Sequence, residues 1–138
     1  MNLYQLHGLL QMVAFLILFP IGALIALFRD KVGSNWKIFH VSVQLLAITT
    51  VVAAYIVIKY AKSKQKNNKQ KPKQLINKIH IATGYTVGAF IILQLFWAFF
   101  GKSIVYWSTW YTIHMILSAC IILGGISNII IAYIMMKS

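Results

Sequence analysis

Polar side chains are sparse along this chain and fall in clusters, and the stretches between the clusters are too long and too evenly apolar to be one face of a soluble helix. From Met12 to Phe28 no polar side chain occurs at all. Four apolar stretches follow one another, about 3–28, 36–60, 77–100 and 110–136. Each exceeds the roughly 20 helical residues that cross about 30 Å of hydrocarbon, with some length left over for tilt. The pattern therefore predicts an all-α integral membrane protein, a four-helix transmembrane bundle forming a single domain over 1–138. Pro20 and Gly22 are expected to bend the first helix. That helix is too long for the core of a signal peptide and lacks a basic start. Trp36, Tyr60, Trp107, Trp110 and Tyr133 lie at the ends of the stretches, where amphipathic rings sit at a membrane surface.

The connections are short except for the loop at 61–76, which carries Lys62, Lys64, Lys66, Lys69, Lys71 and Lys73 among Gln, Asn and Pro72. Such a run reads as a solvated loop that lies on anionic lipid or fixes topology. Without interleaved aromatic residues it does not read as a nucleic-acid site. Four crossings place both termini and this loop on one face, with the two short loops on the other. The first face then holds nine basic residues (Lys59, Lys62, Lys64, Lys66, Lys69, Lys71, Lys73, Lys78 and Lys137), and the second holds Arg29, Lys31, Lys37 and Lys102. By the positive-inside rule the lysine-rich face and the termini are expected in the cytoplasm.

Composition narrows the chemistry. Of the 138 residues 60% are hydrophobic and 10% charged, against about a quarter charged in soluble domains. Thirteen Lys and Arg face one acid, Asp30, which excludes paired-carboxylate catalysis and carboxylate metal sites. The single cysteine, Cys120, excludes an intrachain disulfide and Cys-rich metal or iron–sulfur centres. Histidine, amides and hydroxyls remain.

The four histidines, His7, His40, His80 and His114, fall one to a stretch, each within the first turn or two. Because successive helices run in opposite directions, His7 and His80 belong to one depth and His40 and His114 to the other. The step from His7 to His80 nearly equals the step from His40 to His114, which describes a repeated hairpin. At about 1.5 Å per residue the two depths lie roughly 20 to 25 Å apart. A single membrane histidine is commonly an interhelical hydrogen-bond partner or an interfacial residue. Four paired by depth invite a shared ligand, since ionisable groups in hydrocarbon face the bundle interior. Zinc wants three or four ligands at one level, whereas two imidazoles match the axial positions of a haem iron. The expectation is two haems b, with His7 and His80 ligating one iron and His40 and His114 the other. Gly84, one turn past His80, gives a ring room to approach the backbone. Gln44, four residues after His40, shares its helix face and is placed to hydrogen-bond an imidazole or a haem edge. Lys78 and Lys37 are candidate partners for the haem propionates. Gln94 and Asn128 read either as contributors to such a site or as interhelical hydrogen-bond partners.

The segment from Leu6 to Phe28, with His-Gly, an apolar run and Pro-x-Gly, resembles the opening helix of the cytochrome b561 family. Trp36-x3-His40-x3-Gln44 resembles that family's second-helix motif. His80 with Gly84 and Gln94, and Trp110-x3-His114 followed by Asn128, continue the likeness, which is strongest to the four-helix core of members associated with DOMON domains or related to ferric-chelate reductases. The resemblance implies transmembrane one-electron transfer through two bis-histidine haems, an oxidoreductase of ferric or monodehydroascorbate reductase type, with ascorbate or a similar small reductant as donor. It also implies the same histidine pairs and an amino terminus outside, opposite to the lysine count. The chain departs from the pattern in carrying Gly101-Lys102 where an Arg-Pro usually follows the third helix. Two rival expectations stand beside this one: a haem-bearing membrane anchor for a separate redox partner, and a haem-free histidine-lined proton or metal transporter. Membrane lipids, a small-molecule donor and an acceptor are the expected partners, and a homodimer is compatible with each reading.

Overall fold

The computed structural model describes residues 1–64 and 74–137, and all regular structure among them is helical. In chain order these are α1 (Leu3–Met12), a π-helical segment (Val13–Leu18), α2 (Phe19–Leu27), the short α3 (Arg29–Val32), α4 (Trp36–Lys64), α5 (Gln74–Phe100), a 3₁₀ turn (Gly101–Ser103) and α6 (Trp107–Lys137). Four spans, Leu3–Leu27, Trp36–Lys64, Leu75–Ser103 and Trp107–Lys137, are long and apolar enough to cross a membrane. The chain is an integral, multi-pass, all-α membrane protein. Its helices form two compact units, Met1–Pro72 and Lys73–Ser138, each an antiparallel helical hairpin. The lysines at 66, 69, 71 and 73 lie outside the described residues.

In the first hairpin Asn2 starts α1 with a reciprocal cap. Its side chain accepts from Gln5 N–H at 2.9 Å while Gln5 Oε1 accepts from Asn2 N–H at 2.9 Å, satisfying two amides that a helix start leaves open. The expected bend takes the form of a π-helical turn. Pro20 has no N–H and its ring crowds the carbonyl four residues back, and the helix responds by widening, with Phe19 N–H bonding Ala14 O, five residues earlier. The widened turn is also the packed one, since Ala14, Phe15 and Phe19 are all buried. Facing them, α4 buries Ala47, Ala54 and Ala61. These three follow His40 at strict heptad steps, a seam of small side chains that lets two helices approach closely along their length.

In the second hairpin α5 and α6 pack along Val87, Ile91, Leu117, Ile121 and Gly125, all buried. Three helix ends differ from expectation. Helix α4 continues through Lys64, α5 begins by Gln74, and α6 begins at Trp107. Hydropathy stops where side chains turn polar, but lysine is a good helix former, and its stem lies back on the preceding turn. Lys59 sits over the Tyr55 ring at 5.4 Å, Lys64 over Tyr60 at 4.8 Å and Lys137 over Tyr133 at 4.7 Å. Each is a lysine four residues past a tyrosine, the helical neighbour spacing.

Candidate functional site

Each histidine is half-buried on the seam of its own helix. In the first hairpin, His7 Nδ1 lies 2.9 Å from Ala54 O across on α4, and His40 Nδ1 lies 2.7 Å from Gly22 O across on α2. A carbonyl only accepts, so in both rings Nδ1–H donates and Nε2 keeps its lone pair. From His40 to Ala54, the level of His7, is two heptads of α4, about 21 Å at helical rise. Within this hairpin the two depths therefore have the separation expected from the sequence.

Gln44 is drawn to the same wall. Its Nε2 donates weakly to Phe19 O at 3.5 Å. A Cβ at Gly22 would stand 2.6 Å from Gln44 Nε2 and 3.1 Å from Gln44 Cγ, so glycine is what lets this side chain pass. Trp36 lies beside His40 with ring centroids 6.4 Å apart. Lys37 is exposed over the Trp36 ring at 5.8 Å. Lys78, two residues before His80, is exposed as well.

The second hairpin treats His114 differently. The Gln94 amide nitrogen stands 2.9 Å from His114 Nδ1, 3.3 Å from His114 Nε2 and 2.8 Å from Ser118 Oγ. The Ser118 hydroxyl donates to His114 O at 2.8 Å. An amide nitrogen only donates, so the His114 ring meets a donor from the facing helix where the rings of His7 and His40 meet an acceptor. Trp110 stacks on this ring at 5.0 Å and on Trp107 at 4.9 Å. Trp110 and Trp97 exchange reciprocal bonds, each indole N–H donating to the other's backbone oxygen at 3.0 Å. Lys102 covers the stack, 4.7 Å from the Trp107 ring and 4.8 Å from the Trp110 ring. Gly101 closes against it, where a Cβ would lie 2.7 Å from Trp110 Cδ1 and 2.9 Å from Trp97 Cδ2.

At the other end of this hairpin are His80, whose Nδ1 is buried, and Gly84. An added Cβ at Gly84 would stand 3.2 Å from Asn128 Nδ2. The room at Gly84 is thus taken by an amide from the facing helix. Among the described residues no group of three or more His, Cys, Asp and Glu gathers. The pairs expected by depth, His7 with His80 and His40 with His114, each join residues of the two different units and remain expectations from the sequence. The structure brings together partners the sequence reading did not name, the carbonyls of Ala54 and Gly22 and the indole of Trp97. Backbone oxygens carry no residue signature, so only the constant offset of an antiparallel hairpin points to them.

Fold and site define a class, a multi-span helical membrane protein with a histidine near each end of both hairpins. The chain belongs to the TMEM128 protein family, whose match covers residues 2–127. No curated protein and no solved structure matches it. The family match corrects the cytochrome b561 resemblance. The residues that suggested it, His-Gly with Pro-x-Gly and two copies of Trp-x3-His, are a few polar marks on apolar helices. A Trp at a membrane surface with a His one turn deeper on the same seam is a pattern that the bilayer itself favours, whatever the family.

Proposed function

We propose that the chain is a transmembrane one-electron carrier that holds two haems b on its histidines. The observation that carries this reading is the pair of bonds from His7 Nδ1 to Ala54 O and from His40 Nδ1 to Gly22 O. A carbonyl behind Nδ1 fixes tautomer and ring direction and raises the basicity of Nε2, the arrangement found behind metal-ligating histidines. Haem, when bound, would supply an iron that changes by one electron, and the histidines would be the residues that hold it. The protein's own part is to present Nε2 at two depths about 21 Å apart and to exclude water with apolar helices. His7 and His40 fit this role as they stand. His114 does not, because the Gln94 amide occupies its ring, and ligation there requires Gln94 to turn away. The ascorbate donor and the ferric or monodehydroascorbate acceptors came with the cytochrome b561 resemblance and go with it.

A second reading follows from that same contact. The Gln94–His114–Ser118 cluster is an interhelical hydrogen-bond network, the arrangement of a haem-free membrane protein whose histidines join helices. Purification from haem-replete cells separates the two. Under the first reading the protein has the absorption of low-spin bis-imidazole haem with two haems per chain. A folded, haem-free chain that takes up none on titration removes it.

A further inference from the structure

The two histidine bonds of the first hairpin fix how its helices are matched residue for residue. His7 meets the Ala54 carbonyl at one level and His40 meets the Gly22 carbonyl at the other. Between these levels α4 uses 14 residues, from His40 to Ala54, whereas the facing span uses 15, from His7 to Gly22. Fourteen residues are two heptads and return to the same seam. One residue more turns a regular α-helix about 100° further, which would carry one of the two levels off the seam. The second hairpin supplies the comparison. There a Cβ at Gly124 would meet Val87 and one at Gly101 would meet Trp110, contacts that lie 14 residues apart on either side, and neither α5 nor α6 contains a π-helical segment.

The surplus residue of the first span falls in the π-helical segment Val13–Leu18, where a turn closes over five residues instead of four. Burial shows where the surplus goes. Ala14 and Phe15 early in the segment and Phe19 and Gly22 after it are buried, while Leu16 and Ile17 within it are exposed, so the seam resumes beyond the turn and the extra length faces outward. Phe19 N–H bonds Ala14 O, and Pro20, lacking an N–H, has already removed the next helical bond. We infer that the π-turn is a register device, absorbing a one-residue surplus so that His7 and His40 both reach backbone carbonyls of the facing helix along a single seam. Pro20 lowers the cost of the wide turn, and the two histidine bonds require it.

The inference concerns the chain itself and does not rest on haem binding. Its test is solid-state NMR of the full chain in lipid nanodiscs without haem, reading the dephasing of His ring nitrogen-15 by carbonyl carbon-13. Carbonyl label in alanine reports the His7 bond, and carbonyl label in glycine reports the His40 bond. A chain with Pro20→Ala and Ile17 deleted has 14 residues on both sides and is expected to keep both signals. Deleting Leu46, an exposed residue of α4, widens the mismatch and is expected to abolish at least one. Loss of either signal in the first variant when folded, or survival of both in the second when folded, overturns the inference. Where a deletion prevents folding, Pro20→Ala alone decides: the register still requires the wide turn, so both signals are expected to stay, and loss of either overturns the inference equally. A chain that keeps both signals yet takes up no haem sinks the electron carrier and leaves the π-turn in its role.

Discussion

A membrane interior makes single polar contacts and single methyl groups visible. The bond from His40 Nδ1 to Gly22 O is 2.7 Å long and joins α4 to α2. Replacing His40 by Phe keeps ring volume and removes the bond, and interhelical hydrogen bonds in membranes average about 0.6 kcal/mol with maxima near 1.7. The expected loss is about 1 kcal/mol, read from unfolding in mixed detergent micelles, and a chain that carries haem is expected to lose one of two. Gly101 is the sharper site. Its surroundings are the rings of Trp97 and Trp110, and because those rings hold each other through reciprocal bonds, neither yields to a methyl group. Gly101→Ala is expected to cost about 1 to 3 kcal/mol as overpacking, accompanied by a change in tryptophan fluorescence. Gly8→Ala, where an added Cβ meets nothing within 4 Å, is the matched control and is expected to be near neutral.

Helices pair here by small-residue seams, so the cost of a substitution follows its position on the seam more than its hydrophobicity. Ala47 and Ala54 are both 0% exposed. Leu at Ala47 suits lipid perfectly well but has no room against α1 and the π-turn, so Ala47→Leu is expected to destabilise the first hairpin by about 1 to 3 kcal/mol. Leu46→Ala, one residue away on an exposed face, is expected to change little by the same unfolding measurement. The four apolar helices were legible because hydrocarbon thickness imposes a length that composition alone can meet. The histidines were legible for a related reason, since polar side chains in such helices are few enough to be read one at a time. Helix ends were less so. Lys62 and Lys64 are polar, hydropathy therefore ends the second stretch at Tyr60, and the backbone runs on to Lys64. The π-turn is only half legible: Pro20 announces a disturbance, but whether the helix kinks or widens depends on what Ala14 and Phe15 find on α4. The carbonyl partners of His7 and His40 were illegible, being backbone, and a family was misjudged because Trp-x3-His reports membrane depth before it reports ancestry.

For the molecule as a whole the membrane is both solvent and ruler, and orientation is the property that charge decides. Four crossings return the chain to the side on which it starts, so nine basic residues compete with four across the bilayer. Asp30 lies beside Arg29 with both side chains well exposed, and a lone surface acid counts little in this competition. The lysine-rich side is expected to be cytoplasmic. Replacing Lys62, Lys64, Lys66, Lys69, Lys71 and Lys73 by Gln leaves Lys59, Lys78 and Lys137 on that side, three against four, which reverses the sign of the bias. In a background with Cys120→Ser, a cysteine at Lys102 is expected to react with membrane-impermeant maleimide from the non-cytoplasmic side of sealed vesicles. After the six replacements a substantial fraction of chains is expected to react from the cytoplasmic side instead. Unchanged labelling would mean that the first helix sets the topology without help from the loop.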